Sequence, residues 1–242
     1  MTILAASLFL AQMPEAAQAV WKFFHTGGIF MWPLLVCSIM MVTTIILRTI
    51  ALRRQNVIPL VVESEIERLV PGGSAERLAR IVQHDQAALS RIVWAALQQL
   101  RAPRQETVEM VETKARHEVI GLERGLIVLE IITGIAPLLG LIGAVSGLVR
   151  VFSALGLGAG AQNTEAIALG IAEALNATVF GLSIAVPSLV AFSYFSRKVE
   201  MMSVEIETLV VELISKCYYG RVPRSDGAPP ARAAAAARAP AA

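Results

Sequence analysis

IITGIAPLLGLIGAVSGLV, residues Ile131 to Val149, runs for nineteen residues without a charge, and ALNATVFGLSIAVPSLVAFSYFS, residues Ala174 to Ser196, runs for twenty-three. A helix needs roughly 20 residues to cross ~30 Å of hydrocarbon, so either run is long enough to span a membrane. Between them, Arg150 to Glu173 carries three charges and the string Gly156-Leu157-Gly158-Ala159-Gly160. The pair reads as a transmembrane hairpin, and the rest of the chain is arranged around it.

Composition agrees. The 242 residues are 55% hydrophobic and 17% charged, with mean hydropathy +0.62, a balance rare in soluble domains of this size. The fold class is an all-α integral membrane protein. A net charge of +2, with no basic patch interleaved with exposed aromatics, gives no reason to assign a nucleic-acid partner. Cys37 and Cys217 lie far apart in sequence and provide neither a disulfide framework nor metal-ligand spacing. His84 and His117 are lone histidines, read as solvated or packed. No Ser-His-Asp set, phosphate-cradling glycine loop or carboxylate pair is present, so neither an enzyme nor a cofactor or metal is expected.

Taken in order, residues 1-25 form an N-terminal segment expected at the outer membrane surface, with Trp21, Phe23 and Phe24 as interfacial anchors. A cleaved signal ending near Ala17-Gln18-Ala19 is the alternative, weakened by the absence of Lys or Arg before its apolar part. Thr26 to Leu47 has no charge and closes against Arg48, giving a first transmembrane helix over about 26-50 with Pro33 near its start, where a missing donor costs little. A cytoplasmic helical segment follows over 51-125: an amphipathic helix Val57 to Val70, a short one capped by Ser74, another from Gln86 to Ala102, then unbroken helix from Arg104 to Leu155. The second and third crossings are expected at 126-155 and 169-196, joined by a turn at 156-168. A cytoplasmic helix over 197-220 presents Val204, Ile206, Leu209, Val210, Leu213 and Ile214 as a face in need of a partner. Residues 221-242 form an Ala/Pro/Arg tail read as disordered.

Orientation follows from the 21 Lys and Arg. One precedes the first crossing, twelve lie in Arg48 to Arg124, one is Arg150, and seven follow Ser196. Positive residues are retained in the cytoplasm, so the N-terminus and hairpin turn are expected outside, and the middle segment and C-terminus inside.

Within the hairpin, Gly140, Gly143 and Gly147 share one face, with Ala136 a turn earlier. Small residues at this spacing let helices approach closely where no hydrophobic effect drives them together. Thr133, Pro137, Leu141, Ala144, Leu148 and Leu155 form a different, almost wholly apolar face. In the second run Glu173, Asn176 and Thr178 precede Gly181 and Pro187. Polar groups at membrane depth are costly and mark functional positions by default. At 100° per residue Glu173 and Asn176 share a face, and Thr178 lies about 140° from Glu173. The bland alternatives are a Thr178 hydroxyl bonded to the carbonyl four residues earlier and a Glu173 carboxylate near a helix N-terminus.

Ala136-Pro137-Leu138-Leu139-Gly140-Leu141-Ile142-Gly143-Ala144-Val145-Ser146-Gly147-Leu148, followed by Gly170-Ile171-Ala172-Glu173-Ala174-Leu175-Asn176-Ala177-Thr178 and Gly181 to Pro187, closely resembles the MotA/TolQ/ExbB proton channel family, with the ExbB/TolQ branch the nearer match. The resemblance covers about residues 27 to 216. It implies a bacterial inner-membrane homopentamer with a central pore lined by the second and third crossings. It also implies an ExbD/TolR-like partner with one transmembrane helix, and proton flow coupled to mechanical work on an envelope client. Thr178 and Glu173 match the family's threonine and glutamate in the third crossing; with Asn176, where the family tends to place an aliphatic residue, and Thr133, they make up the expected ion pathway. Ala144 stands where the family's second-crossing threonine is usual. Ser146 points about 200° away from Ala144, whereas Thr133 shares its face. Arg150 is unusual for the family and is expected to snorkel to the interface. A non-conducting scaffold of the same fold is the alternative function.

Overall fold

The computed structural model describes residues 28–156 and 161–219, so the expectations for the N-terminal segment, for most of the Gly-rich string and for the tail lie outside them. Eight helices follow one another among the described residues, with no strand: α1 Met31–Ala51, α2 Arg54–Val57, α3 Leu60–Arg68, α4 Glu76–Val82, α5 Ala88–Gln98, α6 Arg104–Glu123, α7 Leu126–Gly156 and α8 Ala161–Tyr218. Three of them, α1, α7 and α8, are long and apolar enough to cross a membrane. The chain divides into two units, residues 28–56 with Glu118–Ser203, and Val57–His117 with residues 204–219.

The first unit contains α1, α7 and most of α8. Its core is made by Met31, Leu34 and Met41 of α1, Leu126, Leu129, Ile132 and Ala136 of α7, and Ile184, Ala185, Phe195 and Val199 of α8. Among the described residues α1 starts at Met31, and the expected start at Thr26 lies outside them. Gly28 has φ +77°, a left-handed conformation that suits glycine and ends helix propagation, and Met31 N–H closes the turn onto Gly28 O at 3.2 Å. α7 is 31 residues, about 46 Å at ~1.5 Å per residue. Much of its remaining surface is large, exposed and apolar, as at Ile135, Leu138, Leu141 and Leu148.

The unbroken helix expected from Arg104 to Leu155 is interrupted at Arg124-Gly125, between α6 and α7. The Arg48 guanidinium occupies the place where a Gly125 side chain would stand, and its Nη1 donates to Leu122 O at 3.2 Å. An arginine from the end of α1 thus serves a carbonyl in the last turn of α6 that continuing helix would otherwise have used. The third span starts earlier than expected, because α8 is already helical from Ala161, inside the expected turn; past Ser196 it continues as the helix expected over 197-220. No proline or charge cluster lies between Ala161 and Leu169 to stop it, and Gly170 falls inside the helix.

The second unit holds α3 to α5 and parts of α6 and α8. The amphipathic helix expected from Val57 to Val70 is divided by Pro59, which disfavours helix at the residue before it. The Pro59 carbonyl accepts from Val62 and Glu63 N–H at 3.0 and 3.1 Å and opens α3. Ser74 serves α4 from just outside, its Oγ 3.4 Å from Glu76 N–H. Asp85 opens α5, accepting from Ala87 N–H and from Ser90 Oγ. Ile206, Leu209, Val210, Leu213 and Ile214 of α8 are buried as the periodicity predicts, whereas Val204 is exposed. Their partner lies in the same chain: Lys216 Nζ donates to Ile66 O and Glu67 O at the end of α3. Tyr218 Oη donates to Ala102 O at 2.8 Å and meets the buried Thr107 hydroxyl at 2.7 Å.

Candidate functional site in the transmembrane hairpin

The site is set by how closely α7 and α8 approach. The buried residues of α7 follow a single line through Ile132, Ala136, Gly140, Gly143, Gly147, Val151 and Ala154. A Cβ on Gly140 would stand 2.9 Å from Ala177 O, one on Gly143 2.6 Å from Ala177 Cβ, and one on Gly147 2.5 Å from Gly170 O. From the other side, a Cβ on Gly181 would lie 2.7 Å from Ala136 O, and one on Gly170 2.9 Å from Gly147 O. The helices therefore touch backbone to backbone from residue 136 to 147 of α7 and from 170 to 181 of α8. Dispersion between such surfaces, with only small side chains such as Ala174 and Ala177 between them, is the attraction available in lipid. Gly170 belongs to this seam, although sequence reasoning did not single it out.

Both helices carry a proline without ending. Pro137 and Pro187 lie inside α7 and α8, and each removes one backbone donor, leaving the carbonyl four residues earlier without its usual partner. Hydroxyls cluster around the same turns. Thr133 Oγ1 donates to Leu129 O at 2.8 Å, and the fully buried Ser188 donates to the same oxygen at 2.9 Å, from α8 across to α7. Ser188 is a polar tie that the sequence did not reveal. Its one clue is its place immediately after Pro187.

Thr178 is half-buried, and its Oγ1 donates to Ala174 O at 3.0 Å. The hydroxyl's proton is thus committed to its own helix, while its lone pairs are still able to accept. The stripe to which Thr178 belongs straddles an edge: Ala174 and Ala185 are buried, whereas Ile171 and Leu182 are exposed. Thr133, Pro137 and Ala144 are half-buried too, with Leu141, Leu148 and Leu155 exposed beside them. Asn176 is half-buried on α8. The structure does not bring the four polar candidates to one surface.

Glu173 is the outlier. It is only 2% exposed, and it lies about three turns inside α8 because that helix begins at Ala161, so the helix N-terminus is too distant to stabilise it. Arg150 does so instead. Its Nη1 is 2.8 Å from Glu173 Oε2, a pairing that the sequence reading did not foresee. The other oxygen, Oε1, is buried without a hydrogen-bond partner. Gly28 closes over it, and a side chain at position 28 would collide with Oε1. The second glycine of Gly27-Gly28 is therefore required twice, by its left-handed backbone and by the carboxylate.

Three membrane-length helices, two of them packed through glycine around a buried, arginine-paired carboxylate, define a multi-pass α-helical membrane protein. The model of the MotA/TolQ/ExbB proton channel family matches residues 84–208. The Synechocystis sp. protein designated ExbB-like 1 is 36% identical over 193 residues, covering 76% of this chain and 72% of that one. An ExbB homologue of Methanothermobacter thermautotrophicus is 30% identical over 211 residues, covering 86% and 72%. The Helicobacter pylori protein named biopolymer transport protein ExbB is 33% identical over 97 residues, covering 38% and 66%. The chain belongs to the MotA/TolQ/ExbB proton channel family, in its ExbB/TolQ branch, and is a multi-pass inner-membrane protein.

Proposed function

We propose that this chain is the pore-forming subunit of a complex that couples proton flow to mechanical work on an envelope client. Five copies surround a central pore occupied by the transmembrane helices of an ExbD/TolR-like partner. The N-terminus is periplasmic and the C-terminus cytoplasmic, as the distribution of Lys and Arg requires. Family membership supports the assembly. The observation that carries the ion path is Glu173, a carboxylate 2% exposed between uncharged spans with one oxygen still open. Such a group is costly to hold in place and offers an acceptor where the surrounding helices offer apolar surface. Thr178, five residues on, supplies an accepting hydroxyl on the neighbouring face, with Asn176 and Thr133 as further polar positions. Ala144 adds a smooth apolar wall where a hydroxyl is usual.

A second reading, a non-conducting scaffold of the same fold, is favoured by the Thr178 bond to its own helix together with the absence of a hydroxyl at Ala144. The two are separated by proton uptake into vesicles containing this protein and its copurified partner. Thr178→Val, which keeps the shape and removes the hydroxyl, lowers uptake about tenfold, equivalent to ~1.4 kcal/mol of barrier. Unchanged uptake with assembly intact removes Thr178 from the path. Failure to copurify any small protein with one transmembrane helix and a buried Asp supports the scaffold.

A further inference from the structure

Glu173 is held by one oxygen only. An ionised carboxylate offers about four acceptor positions on two oxygens, and those of Oε2 face Arg150 at 2.8 Å. Oε1 is as deeply buried and has no partner, and it is covered on one side by the Gly28 backbone. Buried polar atoms in this state are served by bound water. Arg150 approaches from α7, the opposite arm of the hairpin, and its side chain remains 63% exposed. Its position is fixed by the seam beside it, where Gly147 and Val151 pack against Gly170. The pair therefore does more than neutralise charge, because it decides which carboxylate oxygen remains open.

We infer that Arg150 is a positioning residue of the ion path: it takes Oε2 of Glu173 and leaves Oε1 as the single docking point for a water molecule or hydrated proton. This role rests on the conduction reading above. Without Arg150 the carboxylate loses the contact that sets its rotamer, and neither oxygen stays aimed. Lysine, which keeps a donor and the charge, restores the aim in part. Glutamine at Arg150 does not.

Two measurements on the complete complex test this. The first is a cryo-EM or crystal map of the wild-type assembly that resolves ordered water. Density is expected about 2.6–3.2 Å from Oε1, and a dry Oε1 overturns the proposal. The second is proton uptake by Arg150→Gln, Arg150→Lys and the double variant Arg150→Gln/Glu173→Gln in assembled complexes. Arg150→Gln is expected to lose at least tenfold, Arg150→Lys to stay within about threefold of wild type, and the double variant to fall no further than Arg150→Gln alone, as for residues acting as one unit. Wild-type uptake in Arg150→Gln overturns the role of Arg150 and leaves the conduction reading standing. A wild-type complex that conducts nothing overturns both.

Discussion

Gly147→Ala tests whether the seam of α7 and α8 sets the stability of the membrane unit. A Cβ at position 147 would sit 2.5 Å from Gly170 O, 2.8 Å from Ala174 N and 3.0 Å from Ala174 Cβ. Two of these neighbours are backbone atoms of a helix interior and cannot swing aside. Restoring an ordinary contact of 3.4 Å requires the helices to part locally by about 0.9 Å. A gap of 0.5–1 Å forfeits roughly a quarter to a half of each dispersion well along the contact, and overpacking of this kind costs about 1–3 kcal/mol. Opposing it, alanine is favoured over glycine in a helix by ~1 kcal/mol. Gly134→Ala isolates the steric part: Gly134 lies in the same helix with nothing within 4 Å of its Cβ position, so it receives the propensity gain alone. In equilibrium unfolding from mixed detergent micelles, Gly147→Ala is expected to be about 2 kcal/mol less stable than Gly134→Ala. Equal stability of the two variants would refute the claim that backbone contact at Gly147 holds the hairpin together.

Further predictions concern the second unit and the joint before α7. Tyr218→Phe removes the hydroxyl that meets Thr107 and Ala102 O, and the buried groups left behind cost about 1–3 kcal/mol. Hydrogen exchange should accelerate at Ala102 and Thr107 in this variant and not in the spans. Gly125→Ala pushes aside the Arg48 guanidinium, the flexible end of a long side chain, so the fold survives while the bond to Leu122 O is lost. The expected cost is about 1–2 kcal/mol, and adding Arg48→Met to Gly125→Ala should change stability by less than Arg48→Met does alone.

The spans were legible because apolar length is a property of consecutive residues, which a sequence displays directly. The face shared by Gly140, Gly143 and Gly147 was legible for a similar reason: 100° per residue places them together, and that face is the buried one. Breaks inside the charged segment were less so. Pro59 and Gly125 each interrupt a pattern that periodicity alone continues, and the cue at Gly125 comes from Arg48, 77 positions earlier. The pairing of Arg150 with Glu173 was hidden more deeply. It depends on the register between two helices, and that register is fixed by where Gly147 meets Gly170, a contact that no single-helix period contains. The depth of Glu173 followed the same course, because it turned on a helix start at Ala161 that the Gly-rich string concealed.

Satisfaction of polar groups explains why one atom of the hairpin matters more than its neighbours. The hydroxyls of Thr133, Ser153, Thr178 and Ser183 all donate to carbonyls four residues earlier, and Ser188 donates across the seam to Leu129 O. Each is the inexpensive solution for a hydroxyl in hydrocarbon. These helices thus place their short polar side chains where lipid or a neighbouring subunit meets little more than apolar surface. Glu173 cannot be settled in the same way, since a buried carboxylate needs a cation, and the seam of α7 and α8 brings one to only one of its oxygens. Among the described residues, Glu173 Oε1 is the buried side-chain oxygen left without a partner. The cost of the polar groups is therefore concentrated at one acceptor rather than spread along the two helices. This separates the two tests of conduction: Thr178→Val removes a hydroxyl whose proton is already given to its own helix, whereas disturbing Arg150 moves the buried carboxylate oxygen that the fold leaves without a partner. If conduction depends on that open acceptor, the Arg150 variant suffers the larger loss, in spite of lying farther from the middle of its helix than Ala144 does.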